Sequence, residues 1–143
     1  MSEITRSVIN DMEVVLRQLP GSFTPDQGDN EYVQTSHYFA PGLYARQLAR
    51  KQGVVIVGKC HKEACLTMLL SGRLAVTSST DDVPPGTIVE AGAVWVSKPG
   101  TKRATYALED SVLLTVHGNP MNLTDLDELE ALIILPDALE ANE

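Results

Sequence analysis

GVVIVGKCHKEACLTMLLSG, residues 53–72, is followed twenty residues further on by GAVWVSKPGTKR, residues 92–103. Each segment opens on a glycine, runs through alternating side chains and meets a turn pair, Ser71-Gly72 in one and Pro99-Gly100 in the other. Alternation with a period of two, bounded by such turns, is the signature of half-buried β-strands. In the first segment five residues separate Gly53 from Lys59, one separates Lys59 from His61, three separate His61 from Cys65 and six separate Cys65 from Gly72. In the second, five separate Gly92 from Lys98, one separates Lys98 from Gly100 and two separate Gly100 from Arg103.

Outward from these segments the period of two continues. Strands are expected over 32–39, 43–50, 54–61, 66–70, 73–77, 87–89, 94–97, 101–108 and 112–117, with Pro41-Gly42 as a turn and 83–86 as the longer connection. Many short strands with regular turn signals mean a closed or sandwiched β architecture. Before them, Ile4, Val8, Met12, Val15 and Leu19 recur at helical spacing until Pro20-Gly21, and 21–30 reads as a polar loop. After Gly118-Asn119-Pro120 the helical period returns in Leu126, Leu129, Leu132 and Ile133, with Thr124 and Asp127 resembling a capping box and Pro136 as the stop. The expected organisation is one domain: a helix and linker over 1–30, a barrel over 31–118, and a helix with an acidic tail over 119–143.

The net charge of −8 is unevenly placed. Residues 1–36 carry six acids and two bases, 37–103 four acids and nine bases, and 104–143 nine acids and no Lys or Arg. A basic centre between acidic ends argues against nucleic acid as the main partner, because duplex binding needs a strongly basic surface. No apolar run reaches the roughly 18 residues of a membrane helix, and the opening residues lack a secretory pattern, so neither membrane nor export is expected. Cys60 and Cys65 are accordingly expected as thiols rather than a disulfide.

The glycine frame and spacing of 53–72 and 92–103 resemble the two motifs of the cupin barrel. The runs HYFAPGLYAR (37–46), GKCHKE (58–63), KPGTKRATYALED (98–110), TVH (115–117) and TDLDELE (124–130) resemble small cupin-like proteins of tailed bacteriophages and prophages. The resemblance implies a mainly β fold, a single double-stranded β-helix or jelly-roll barrel, flanked here by an N-terminal amphipathic helix and a short C-terminal helix. It also implies a viral gene acting in the host cytoplasm or associated with the virion, and no established activity. In other cupins the four metal-ligand positions hold His, His, Glu and His; here they hold Lys59, His61, Cys65 and Arg103. Three of the four are replaced, so no metal, no cofactor and no catalytic residue is expected.

An ammonium, an imidazole, a thiol and a guanidinium suit an anion better than a cation. Arg46 joins them, since alternation places Tyr44, Arg46 and Leu48 on one face. The ligand-binding candidates are therefore Lys59, His61, Cys65, Arg103 and Arg46, and the candidate ligands are carboxylates, phosphates or a nucleotide. The alternative is a barrel plugged by ion pairs from Lys59 and Arg103 to Glu63, Glu90 or Glu109. A soft metal ion on His61 and Cys65 would need Glu63 or His117 as well, and His37 and His117 otherwise read as core or surface residues. Cys60 and Cys65 read as packing residues, and Trp95 with Val94 and Val96 as barrel core. If Lys59 and His61 face inward, strict alternation puts Val54 and Ile56 outside, and an apolar outer face predicts a homo-oligomer formed by sheet packing. A binding module, a virion or assembly scaffold, and a metal-dependent enzyme are the three functional classes left open, in that order.

Overall fold

The computed structural model describes residues 22–23, 29–79, 84 and 86–134; the expected helix over 4–19 and the proposed stop at Pro136 lie outside the described residues. In chain order the strands are β1 Ser22–Phe23, β2 Val33–Ala40, β3 Leu43–Arg50, β4 Val55–Val57, β5 Cys65–Ser71, β6 Arg73–Ser78, β7 Thr87–Glu90, β8 Val94–Ser97, β9 Arg103–Ala107 and β10 Ser111–Gly118. One helix, α1 Leu126–Ile133, follows. The strands form two five-stranded sheets, sheet I in the order β1-β4-β9-β6-β7 and sheet II in the order β2-β3-β10-β5-β8. Pairing is antiparallel except between β1 and β4. From β4 to β10 the chain passes repeatedly from one sheet to the other, which makes the pair of sheets a jelly roll.

Register decides what faces inward. In sheet II one rung joins Phe39, Tyr44 and His117, the next His37, Arg46, Thr115, Thr67 and Trp95, and a third Thr35, Leu48, Leu113 and Leu69. In sheet I, Ile56 pairs with Thr105 and Thr105 with Val76, while Leu74 pairs with Ala107. Two apolar clusters fill the space between the sheets. One is Val33, Leu48, Val54 and Ile56; the other is Leu69, Leu74, Val76 and Ala107, with Val89, Trp95 and Leu113 against it. Burial of these aliphatic side chains is the main force closing the barrel.

Six expectations are corrected here. The strand expected over 54–61 is only β4, Val55–Val57. Its ladder with β9 ends where the Gly58 amide meets the Arg103 carbonyl, and the chain then turns away so that His61 makes an isolated bridge with Ile134. Alternation therefore does not carry through, and Val54 and Ile56 are buried in the core rather than turned outward. The apolar outer face belongs to sheet II instead, where Val94 and Val96, expected in the core beside Trp95, are 60% and 56% exposed. Within 21–30, read as loop, Ser22–Phe23 forms β1 alongside Val55 and Ile56. The α1 N-cap is Asp125, whose carboxylate accepts from the Asp127 and Glu128 amides, in place of the Thr124 capping box. Finally, α1 stops at Ile133 because Ile134 is extended and bridged to His61.

Candidate ligand-binding site

A cavity of about 440 Å³ opens at the end of the barrel where α1 lies across it. One wall is made of rings from sheet II. Tyr44 stands between His37, at 5.9 Å and 15°, and His117, at 5.8 Å and 22°, and His61 meets His117 edge-on at 4.8 Å. Cross-strand register produces this row, since Tyr44 and His117 are direct partners and His37 is one rung away. Leu126, Leu129, Ile133 and Ile134 add aliphatic lining. Arg46 comes up from the rung below the Tyr44–His117 pair, and Asp29, Thr35, Lys59 and Glu130 complete the lining.

α1 is tied to the segment that carries His61. Lys59 Nζ makes an ion pair with Glu130, the Lys62 amide donates to the Ile133 carbonyl at 2.6 Å and Lys62 Nζ donates to the Ala131 carbonyl at 2.8 Å. Leu129 and Ile133 are buried against Tyr44, which seats the helix on the ring wall.

The electrostatics follow from burial. Desolvation, with His117, Arg103 and Arg46 adding to it, holds His61 down at about 3; desolvation and Arg46 hold His117 down at about 4. His37 is also lowered, by burial first and Arg46 second. All three histidines of the chain therefore line one cavity as neutral imidazoles at pH 7. Burial raises Tyr44, so its phenol stays protonated, and its hydroxyl shares a 2.7 Å hydrogen bond with His37 Nδ1. Burial lowers Arg46 as well, yet an arginine remains charged at any working pH. Its guanidinium has no ion pair or hydrogen bond among the described residues, whose Asp and Glu side chains are all exposed.

Of the residues singled out from sequence, Arg46, Lys59 and His61 line the cavity together. Cys65 and Arg103 do not. Cys65 is buried on β5 with its Sγ 3.8 Å from His61 Nδ1, beneath the wall. Arg103 lies deeper, its Nε donating to Ser78 Oγ at 3.2 Å, its Nη2 to Ser97 Oγ, and its plane 5.5 Å from the Trp95 ring. The acids proposed to plug the barrel serve elsewhere: Glu90 and Glu109 flank Arg73, and Glu63 is exposed. Tyr44, Glu130 and Asp29 were not anticipated, and His37 and His117 were read as core or surface. Tyr44 was visible through its shared face with Arg46; the others needed the register and the position of α1.

No protein-family model and no curated protein matches this chain. Solved structures do. KdgF from Halomonas sp. superposes with a TM-score of 0.53 at 17% identity, over 73% of this chain and 94% of that one. An RmlC-like cupin from Shewanella frigidimarina gives 0.51 at 16%, over 64% and 80%. A Bacillus subtilis oxalate decarboxylase variant gives 0.57 at 18%, over 78% of this chain and 30% of its own. The fold is a cupin barrel. At such identities the likeness extends to the fold alone. A cupin of known chemistry commonly holds a metal, and the residues here do not fit one. Two of the four motif positions are cations, one of them paired with Glu130 and the other held by Ser78 and Ser97. Among the described residues no group of three or more His, Cys, Asp or Glu could hold a metal ion. The nearby Arg46 charge opposes a divalent cation further. Cys60 and Cys65 form no disulfide, and no described helix is long and apolar enough to cross a membrane.

Proposed function

We propose that this cupin-fold protein is a binding module that holds a small anion at the mouth of its barrel, with Arg46 as the anchor and without a metal. The observation that carries the reading is a half-buried guanidinium that lines a cavity and makes no ion pair among the described residues. A largely desolvated guanidinium with no direct ion pair is costly even with the Asp29 and Glu130 charges acting on it from a distance, and a ligand anion supplies a direct partner through the guanidinium fork. Neutral His61 and His117 and the Tyr44 hydroxyl add polar contacts around it without competing for the anion's charge. Lys59, already paired with Glu130, closes the mouth rather than binding. In a phage-infected cell, the setting implied by the sequence resemblance, such a module would sequester a host metabolite.

The test is isothermal titration of the purified protein with a panel of small carboxylates and inorganic phosphate, repeated on Arg46→Gln after its fold is checked by circular dichroism. Saturable binding that weakens at least tenfold in the variant is expected. Equal binding by the two proteins, or none by the wild type, overturns the reading.

A further inference from the structure

The same cavity asks for more than an anion, an inference that rests on the anion-binding reading above. Four charged side chains line it, Asp29, Arg46, Lys59 and Glu130, and its imidazoles are neutral at pH 7, so the lining carries no net charge. Lys59 and Glu130 satisfy each other in an ion pair. Arg46 and Asp29 do not. They are opposite charges on one lining, yet neither makes an ion pair among the described residues.

Strand register holds them apart. Arg46 on β3 lies directly opposite His37 on β2, and Thr35, two residues along β2 on the same face, is its diagonal neighbour at about 7–8 Å. Asp29 is fastened to that threonine, its Oδ2 accepting from the Thr35 amide at 2.9 Å and its Oδ1 from Thr35 Oγ1 at 2.8 Å. The carboxylate is thus anchored to β2 instead of swinging onto the guanidinium. With about four lone-pair sites on a carboxylate, these two bonds leave acceptor capacity on both oxygens. The charges still act on each other across the cavity, since Asp29 works against the lowering of both Arg46 and His37.

A plain anion answers half of this arrangement. Its carboxylate meets the Arg46 fork and is then repelled by Asp29, while a plain cation meets Asp29 and is repelled by Arg46. A molecule carrying both charges suits both groups. Leu129 and Ile133 pack directly on Tyr44, which leaves no place for a ring in that contact, and the aliphatic lining that α1 adds suits a short hydrocarbon skeleton between the charges. A volume of about 440 Å³ is within the range of small-molecule sites.

We infer that the ligand is an aliphatic amino carboxylate bound as a zwitterion, its carboxylate on the Arg46 guanidinium and its ammonium on the Asp29 carboxylate. The probes are glycine, 3-aminopropanoate and 4-aminobutanoate, which step the spacing between the two charges, with butanoate, butylamine and butanamide as matched anion, cation and neutral molecule, all titrated calorimetrically into the wild-type protein. The best of the amino carboxylates should bind at least tenfold tighter than each of the other three. In Asp29→Asn, a change at an exposed position whose amide oxygen can still accept from Thr35, it should lose at least tenfold while butanoate, freed of a like charge, tightens. Arg46→Gln should lose both. Butanoate binding as tightly as the best amino carboxylate, or an amino carboxylate unmoved by Asp29→Asn, overturns the ligand class and leaves the anion-binding reading standing. Butylamine or butanamide binding as tightly as the best amino carboxylate removes the role of the carboxylate and overturns both, as does the absence of binding by any carboxylate.

Discussion

Acid should loosen this protein chiefly through two histidines. An unfolded imidazole titrates near 6.5, whereas His61 and His117 are held to about 3 and about 4 in the folded barrel by burial, then by their charged neighbours. Below pH 6.5 the unfolded chain takes up protons that the folded one refuses, so folding stability is fully present above 6.5 and falls as the pH approaches the folded values. Each histidine contributes a slope of about 1.4 kcal/mol per pH unit in that window. Between pH 7 and pH 5 this amounts to about 2 kcal/mol per histidine, or about 4 kcal/mol for the pair, a large share of the 5–15 kcal/mol of an ordinary domain. His117→Gln keeps a polar group near Thr115 and removes one titration. Urea unfolding followed by Trp95 fluorescence at the two pH values then isolates it, because carboxylates contribute equally to both proteins and cancel. The wild type should lose about 2 kcal/mol more than the variant on acidification. The same loss in both proteins would refute burial of a neutral imidazole at this position.

Other perturbations separate backbone, charge and cap. Gly72 has φ +85° and an added Cβ would run into Ser111 Oγ and the Asp110 carbonyl and lie 2.8 Å from Ser111 Cα, so Gly72→Ala should cost about 2–5 kcal/mol in urea unfolding. Gly92, at φ +95° with nothing within 4 Å, should cost only about 1–2 kcal/mol on the same change. Arg50 is 3% exposed, with Nε and Nη2 lacking partners and Nη1 only 3.5 Å from the Thr105 carbonyl; burial brings it down to about 10. Arg50→Met should therefore stabilise the barrel by about 1–4 kcal/mol, read as a raised melting temperature. Asp125→Ala removes the α1 cap, at a cost of about 1 kcal/mol, and should weaken anion binding because that helix is one wall of the cavity.

The barrel was legible because its signals are local. Glycines at 53, 72, 92 and 100 all adopt positive φ, the conformation for which a turn selects that residue, and the alternation between them placed most of the strands. What failed was parity across Gly58. Alternation describes a strand only while its ladder lasts, and Val54 and His61 both face inward because the chain between them leaves β9 and reaches for Ile134. The site was half legible for the same reason. Arg46 was found from its own strand, but the ring row depends on the register of β2, β3 and β10, and Arg103 was drawn away by Ser78, Ser97 and Trp95, which no spacing within 92–103 announces.

The ties between α1 and residues 59–62 also set the order in which the molecule becomes competent during synthesis. A ribosome that has released residues up to 118 has delivered every described strand, with Arg46 and all three histidines in place. The aliphatic lining is still to come, since Leu126 to Ile134 are made after these strands and dock onto a segment translated some seventy residues earlier. A nascent barrel is thus a folded vessel with an open side. Proteolytic loss of α1 would return a finished protein to that state, abolishing retention of its ligand while leaving the barrel standing.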